Sequence, residues 1–506
     1  MGEEIELKLS VAAAAVPGLL ASASVKSRGI RFGRARRMVT SYYDTAKGAL
    51  KKKGVFLRLR EAGGRIEQTV KTAGEGGVLA RRGEWNWAVK TPEPDLDLAV
   101  TSGVKALARR VKKGGLVLRF ASHIERRIAL YEHQGTVLEL ALDVGEVRAG
   151  RRTVPVSELE IEVKRGGPEA LFALARELVT LPGVTVGFAT KASRGFQLAE
   201  GRAAEAEKAG TADLDADMPL HLAAAAILNS AAAHAAANLG LIVSSGVPES
   251  IHQGRVALRR LRAALVLLKE ALPADRRHHL RREAGWLAGA LGTARDLDVL
   301  SLGALSACQP PEDIAAGFAG LKRRVAAERR TARAAARTVA ASPRAQLLLL
   351  DLDETAGALA PVAEAPELKA LAAKALQKRY EKVLNAGEGI ETMDVEARHQ
   401  LRLALKKLRY AADFFSSLFP QKAVKREVKA LARLQDALGA FNDAAVAPIL
   451  LQRALAAGKG RADPAVTTAA TFLTGWAAYE SELAWRTAAA EWRGFTGAKP
   501  FWTESL

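Results

Sequence analysis

Charged residues at every second position mark roughly the first 200 residues of the chain and limit what this part can fold into. In the segment EIELKL, Glu4, Glu6 and Lys8 alternate with aliphatic residues. Successive side chains of a β-strand point to opposite faces, so the three charges share one face. Charged faces of both signs favour a barrel with a charged lumen and a covered apolar wall. Such a lumen is costly unless a charged ligand occupies it.

The same alternation recurs along the predicted strands that follow. Their charged faces carry Arg58, Arg60, Lys71, Arg82, Glu84, Glu139, Asp143, Glu158, Glu160 and Glu162. Arginine and lysine bind the oxygens of a polyanion, and clustered carboxylates hold a hard cation such as Mg²⁺ or Mn²⁺. Together they predict a phosphoryl-transfer site. We find no P-loop motif and no kinase motif set, which argues against the usual nucleotide folds.

One predicted strand, HIERRIALY, offers two neighbouring arginines for the lumen. Ile124, Ile128 and Leu130 have the same parity as Arg126. Residues of one parity share a face of the strand, and a shift by one residue exchanges the faces. If the apolar side chains cover the outer wall, Arg126 points outward with them. We therefore expect Arg127 to face the lumen.

The composition narrows the class of protein. A net charge of +20 requires an anionic partner such as a phosphate compound, a nucleic acid or an acidic membrane. Aromatic residues are few (5%), so we expect no specific nucleic-acid partner. No uninterrupted apolar run of about 18 residues and no basic-then-apolar leader is evident, so we expect a cytoplasmic protein without a membrane span. The single cysteine, Cys308, excludes a multi-cysteine metal site.

Six segments occur in a fixed order: EIELK, YYDT, LRLR, LDVGEV, ELEIE and TKASRG. Over roughly residues 1–200 this order resembles the CYTH family, the triphosphate tunnel metalloenzymes. The resemblance implies an eight-stranded antiparallel tunnel. It also implies hydrolysis of inorganic triphosphate to pyrophosphate and phosphate with Mg²⁺ or Mn²⁺.

The resemblance also assigns roles to the matching positions. It implies catalytic residues Glu4, Glu6, Lys8 and Lys71; phosphate ligands Arg58, Arg60, Arg82, Arg127, Lys191 and Arg194; and metal ligands Glu4, Glu6, Asp143, Glu160 and Glu162. Glu125 stands at the partner position of Arg127, where the family often has a second basic residue. This difference leaves the phosphate clamp one charge short.

From about residue 218 the pattern changes to a helical period, and the sequence repeats. HQGRVALRRLR, which starts at His252, matches HQLRLALKKLR, which starts at His399, at a spacing of 147 residues. On a helix, the basic residues of each copy form one stripe and the leucines another. Like charges at these spacings repel, so an anionic ligand would stabilise the stripe. The repeat predicts two duplicated helical bundles.

The two His-x-x-Arg helices and the segment LGTARDLDV resemble the CHAD family over roughly residues 218–500. The resemblance implies an α-helical domain that binds inorganic polyphosphate. The residues implied in binding are His252, Arg255, Arg259, Arg262, His399, Arg402, Lys406 and Arg409.

The expected fold is α+β and multidomain. It comprises an eight-stranded antiparallel β tunnel (1–201), a linker (202–217) and an all-α domain (218–500) whose repeat covers about 249–300 and 396–447. The expected function is hydrolysis of inorganic triphosphate in the tunnel and binding of polyphosphate by the helices, in the cytoplasm and at polyphosphate granules. Two alternatives stay open: a non-catalytic polyphosphate-binding scaffold, and a class IV-type adenylate cyclase that uses the same tunnel.

Overall fold

A computed structural model describes residues 2–72, 77–104, 115–456 and 463–503, without the side chains of residues 2–4, 81, 82, 442 and 444. These residues form two compact units. The first contains Met1–Glu207 together with Ala235–Val247 and Ala340–Glu354. The second contains Lys208–His234, Pro248–Val339 and Thr355–Leu506. Two segments from the helical part of the sequence therefore belong to the first unit.

The first unit is built on an antiparallel β-sheet. Its strands are β1 Gly2–Val11, β2 Arg36–Asp44, β3 Val55–Ala62, β4 Arg65–Thr72, β5 Leu79–Val89, β6 Val117–His133, β7 Thr136–Ala149, β8 Arg152–Arg165 and β9 Val184–Val186. The strand order is β5-β4-β3-β2-β6-β7-β8-β1-β9, and β5 also pairs with β1. This pairing joins eight strands into a ring, with β9 attached to β1. The predicted eight-stranded antiparallel tunnel is confirmed.

Alternation places apolar side chains on the wall of this ring. Leu7, Leu9, Leu57 and Leu59 are buried, whereas the residues between them carry charges. The helices of this unit's N-terminal part are α1 Val16–Ala21, α2 Ala23–Lys26, α3 Leu96–Thr101, α4 Glu169–Leu178 and α5 Lys191–Ala199, with 3₁₀ turns at Ala13–Ala15 and Lys51–Lys53. Helix α4 turns five buried residues to the core, and α3 adds Ala99 to the cluster around Leu57. The wall is therefore covered, as the sequence predicts.

Apolar side chains occupy part of the lumen face. Tyr42 stacks on Phe120 with ring centroids 4.5 Å apart, and Phe120 meets Phe196 of α5 edge-on at 5.1 Å. Ile124 belongs to the same buried cluster, which we call the apolar plug. Gly195 permits this packing, because a Cβ at that position would lie 2.1 Å from the Phe120 ring.

Helices dominate the rest of the chain. They are α6 Leu220–Ser244, α7 Pro248–Leu267, α8 Ala274–Ala290, α9 Gly292–Leu302, α10 Ala304–Ala307, α11 Ala315–Ala340, α12 Pro343–Gly357, α13 Leu368–Ala386, α14 Val395–Phe415, α15 Gln421–Ala456 and α16 Pro464–Thr496, with 3₁₀ turns at Glu312–Ile314, Ile390–Thr392 and Ser416–Leu418. The predicted helical half is thereby confirmed.

The two copies of the repeat begin with α7 and α14, which pack against each other. They then differ. The first copy breaks into α8 and α9 at Leu291–Gly292, whereas the corresponding Leu438 and Gly439 lie inside the continuous helix α15. The copies are therefore not structurally equivalent.

One helix among the described residues, α6, is long and apolar enough to cross a membrane by length and composition. The search for an uninterrupted apolar run missed it because Asn229, Ser230 and His234 interrupt the run. Its most apolar window has a mean hydropathy of 1.4 and is 56% buried within the structure, as in the core helices of soluble proteins. A single such helix is weak support for a membrane span.

Candidate functional site

Three carboxylates converge in the lumen of the barrel. Asp143 on β7 pairs across the sheet with Glu158 on β8, and Glu160 lies two residues further along β8. One oxygen of each lies within 4.8 Å of the others, and Asp143 and Glu158 are fully buried. We call these residues the acidic cluster. Oxygen donors at this spacing suit a hard divalent cation, so the donor set fits Mg²⁺ or Mn²⁺.

Basic side chains contact the acidic cluster directly. Lys191 Nζ, at the start of α5, lies 2.6 Å from Asp143 Oδ2, 2.6 Å from Glu158 Oε1 and 2.9 Å from Glu160 Oε1. Arg126 donates to both oxygens of Asp143 and to Glu160 Oε2, each at 2.6 Å. These contacts offset the negative charge of the cluster from within the chain.

The contacts favour the charged forms of Glu160, Lys8, Lys191 and Arg126. Burial disfavours ionisation of Glu160, but Lys191, Lys8 and Arg126 together hold its pKa well below the usual range. Burial likewise opposes the charge of Lys8, yet Glu160 and Glu6 raise the pKa of Lys8. The carboxylates similarly raise the pKa values of Lys191 and Arg126. Glu160 is the centre of the network, because it contacts all three cations.

Positive charge exceeds negative charge on the neighbouring strands. Lys71 Nζ lies 2.8 Å and Arg58 Nη2 3.5 Å from Glu84, so this carboxylate is shared. The Nε of Arg60 is buried and has no hydrogen-bond partner among the described residues. Arg58, burial and Arg126 lower the pKa of Arg60 to about 10. A half-buried arginine beside two other arginines could bind an anion.

Several predicted site residues gather around the acidic cluster. Lys8 hydrogen-bonds to Glu6 and Glu160, and Arg194 Nη2 lies 3.0 Å from Glu158. Glu158 lies in the acidic cluster with the predicted metal ligands Asp143 and Glu160, although the sequence did not assign it that role. Its spacing of two residues from Glu160, which puts both on one face of the strand, could have identified it. The side chains of Glu4 and Arg82 are not described. Their backbones pair with each other, Glu4 on β1 opposite Arg82 on β5.

The predicted ligand Glu162 has different contacts. Its carboxylate lies 2.7 Å from Lys164, and its backbone is the cross-strand partner of Glu6. Glu139, the partner of Glu162 on β7, lies 3.9 Å from the same lysine. Glu162 is absent from the acidic cluster that the described residues form.

The predicted orientation of HIERRIALY was wrong. Arg126 contacts the acidic cluster, whereas Arg127 is exposed. The prediction assumed that apolar residues face only the wall, but Ile124 packs into the apolar plug on the lumen face. Ile128 and Leu130, on the same face, are 40% and 65% exposed, so they cover no wall either.

The second unit contains a different charged surface, formed by both copies of the repeat. Arg255 and Arg259 of α7 lie near Arg402 and Lys406 of α14, close enough for their charges to shift one another's pKa values. We call these four residues the basic cluster. Asp296 and Asp443 supply the opposing carboxylates. The two predicted basic stripes therefore meet.

Burial and mutual repulsion make the basic cluster electrostatically unfavourable without a ligand. Burial, Arg402 and Arg259 lower the pKa of Lys406 to about 7. Burial and Arg295 lower the pKa of the neighbouring His252 to about 4, so this imidazole is neutral at pH 7. Arg295 lies near the basic cluster, where its charge affects His252 and Arg255. The sequence did not assign it as a ligand, because the second copy has asparagine at the matching position.

The remaining predicted polyphosphate ligands of the helical domain, His399, Arg262 and Arg409, differ in exposure and in contacts. His399 is half-buried, Arg262 is exposed, and Arg409 Nη1 lies 3.4 Å from Gln435. The adjacent Arg260 is buried and donates to Asp413 at 3.2 Å, so it stabilises the fold.

Comparison with known proteins matches both halves of the chain. The CYTH domain family matches residues 2–196, and the CHAD domain family matches residues 226–452. A curated protein of Haemophilus influenzae, named inorganic triphosphatase, is 29% identical over 202 residues, which are 39% of this chain and 55% of that protein. The aligned part thus spans about half the length of the curated relative. The crystal structure of the CHAD domain from the plant Ricinus communis covers 58% of this chain and 98% of its own, with 29% identity and a TM-score of 0.51.

Proposed function

We propose that the barrel of this chain hydrolyses inorganic triphosphate and that its helices bind inorganic polyphosphate. The chain carries a CYTH domain at residues 2–196 and a CHAD domain at residues 226–452. The observation that carries the proposal is the acidic cluster, which lies in one lumen with an excess of arginine and lysine. A divalent cation and a triphosphate need these two surfaces side by side. The match to an inorganic triphosphatase supports a reaction of this type.

In this proposal Asp143, Glu158 and Glu160 hold Mg²⁺ or Mn²⁺. When bound, the cation would polarise phosphate oxygens as a Lewis acid. Lys191 contacts all three carboxylates and would share them with the cation, so its ammonium would also be within reach of a bound phosphate. The proposal keeps Glu4 as a further ligand or catalytic carboxylate.

The basic side chains of the lumen would bind and orient the triphosphate. Arg58, Arg60 and Arg126 provide forked donors for its oxygens, and Lys8 and Lys71 provide point charges. The buried Glu6, next to Lys8, would accept the proton of the attacking water. Water attack on the terminal phosphorus breaks one anhydride bond and yields pyrophosphate and phosphate.

In the helical domain, the basic cluster would bind polyphosphate. The lowered pKa values of Lys406 and Arg402 support this role, because an anion relieves their mutual repulsion. The pair of domains would act in the cytoplasm and at polyphosphate granules.

The scaffold alternative depended on Glu125 weakening the phosphate clamp. In the structure the Glu125 side chain is 58% exposed and lies 3.6 Å from Arg37, away from the acidic cluster. Arg126 supplies the charge at that point of the lumen instead. This geometry supports the catalytic proposal over the scaffold alternative.

Neighbouring arginines provide a test of the proposed phosphate clamp. We expect Arg126→Gln to lower kcat/KM for triphosphate by about 10²-fold or more, because it removes a charge-assisted donor from the lumen. Arg127→Gln, with the same change of charge at an exposed position, should stay within about twofold of the wild type. Equal losses in the two variants would contradict the proposed clamp.

The pKa of Lys406 predicts a pH dependence of polyphosphate binding. A bound polyanion stabilises the ammonium and raises its pKa, so binding takes up a proton once the pH exceeds about 7. We expect the affinity to fall between pH 7 and pH 9 by up to about tenfold per unit. Lys406→Arg, which stays charged, should bind with little change over this range. Calorimetric titrations measure the polyphosphate affinity of both proteins at each pH. A wild-type affinity that does not change between pH 7 and pH 9 would contradict the prediction.

A further inference from the structure

Three buried polar side chains of α12 are directed at the barrel unit. Gln346, Asp351 and Asp353 are 2%, 7% and 5% exposed. They belong to Ala340–Glu354, a segment inside the CHAD-matched residues that the compact first unit nevertheless includes. We call this segment the strap. Buried polar groups are stable only when they make hydrogen bonds, so their partners show what the strap does.

The partners lie on three different elements of the barrel unit. Asp353 accepts the backbone N–H groups of Val78 at 2.7 Å and Leu79 at 3.0 Å, where β5 begins. Gln346 Oε1 accepts the N–H of Val186 on β9 at 2.7 Å. Arg176 of α4 donates to Asp351 and, at 2.6 Å, to Glu354. Both strands that the strap contacts pair with β1.

The contact with β5 falls where that strand begins. Along one edge, β5 pairs with β1 from Leu79 to Glu84. Along the other edge, the described ladder with β4 covers Glu84 to Val89. At this end of the strand Asp353 adds two hydrogen bonds, from the N–H of Leu79 and from that of Val78 just before it. Register decides which face each side chain of a strand occupies, so a contact that fixes the first residues of β5 helps to set that face.

This stretch of β5 borders the proposed catalytic residues. Ala80 is the cross-strand partner of Glu6, and Glu84, four residues later, contacts Lys71 and Arg58. A shift of β5 by one residue would move Glu84 to the opposite face. A contact that fixes the start of β5 therefore also fixes Glu84, the carboxylate that contacts the proposed phosphate ligands Lys71 and Arg58.

We propose that Asp353 is a positioning residue of the triphosphate tunnel: it holds the start of β5 in register with β1, so that a residue of the helical domain completes the barrel site. The inference rests on the proposed function of the barrel. It means that residues 2–196 alone do not contain every group that shapes the tunnel. It also gives one segment of the CHAD-matched residues, the strap, a role in shaping the tunnel.

The test compares Asp353→Ala, Asp353→Asn and the control Asp351→Asn in the full chain. Asp351 is a similarly buried carboxylate on the same helix, and Arg176 keeps Glu354 as a partner without it. The measurements are kcat and KM for inorganic triphosphate with Mn²⁺, the melting temperature, and hydrogen exchange of residues 77–84.

We expect Asp353→Ala to lower kcat/KM by about 10- to 100-fold and to accelerate exchange at the start of β5 only. Asp353→Asn keeps one acceptor oxygen, so it should recover part of the rate and part of the protection. The control should match the wild type in both. Polyphosphate affinity should be unchanged in all three variants.

Slow, wild-type-like exchange at Val78 and Leu79 in Asp353→Ala would overturn the inference, whether or not the wild type is active. Accelerated exchange with an unchanged kcat/KM would overturn it too, as would loss of protection throughout the barrel, which indicates general destabilisation. An inactive wild type with fast exchange confined to β5 in the variant would refute the proposed function and remove the catalytic part of the inference.

Discussion

Replacing Glu160 by glutamine is expected to abolish metal-dependent hydrolysis, with a loss in kcat/KM of about 10³-fold, or ~4 kcal/mol of transition-state stabilisation. The reason is the position of Glu160 in the network. It contacts Lys8, Lys191 and Arg126 and contributes one of the three oxygens of the acidic cluster. The amide keeps the shape of the side chain but loses the charge that pairs with Lys8, Lys191 and Arg126 and that the proposed cation requires.

Three measurements separate this effect from a loss of folding. Steady-state kinetics give the rate, calorimetry with Mn²⁺ gives the metal affinity, and thermal unfolding monitors the fold. Glu125→Gln removes the same charge from an exposed site and should leave the rate within about twofold of the wild type. Retention of a near wild-type rate by folded Glu160→Gln would exclude the acidic cluster from the reaction.

The double variant Arg259→Gln/Arg402→Gln is expected to weaken polyphosphate binding by about 10²-fold or more, because each lost charge-assisted contact contributes roughly 1.5–3 kcal/mol. One residue comes from each copy of the repeat, and the two charges lie near each other in the basic cluster. By analogy with single-stranded nucleic acids, the slope of log K against log salt should fall by about 0.7 per charge removed. Triphosphate hydrolysis should be unaffected.

The control for net charge is Lys374→Gln/Lys378→Gln, two exposed lysines of α13. It lowers the net charge of the protein by the same amount, so a general effect of the +20 charge would weaken binding equally in both double variants. Equal affinities for the two double variants would show that binding is diffuse and would contradict a specific basic cluster.

Strand parity predicted most of the lumen. It placed Lys8, Arg58 and Glu160 on one surface because the wall beside them is uniformly apolar. The same rule failed on β6, because the lumen contains an apolar plug and Ile124 belongs to it. Hydropathy alone cannot distinguish a covered wall from a plugged interior, since both are dry.

Contacts between distant parts of the chain could not be predicted. The repeat revealed two basic helices, but not that Arg259 and Lys406 lie near each other. Asp353 binds the backbone of Val78 and Leu79, and a backbone N–H has no sequence signature. Nothing in the residues around Asp353 distinguishes it from a solvated acid on a helix.

The most direct test of the central claim is the release of phosphate from inorganic triphosphate, with and without Mg²⁺ or Mn²⁺, compared with ATP, thiamine triphosphate and long-chain polyphosphate. The account predicts rapid metal-dependent release from inorganic triphosphate, lost in Glu6→Gln. No release from any of these substrates by a folded protein that still binds polyphosphate would contradict it and make the chain a polyphosphate-binding scaffold.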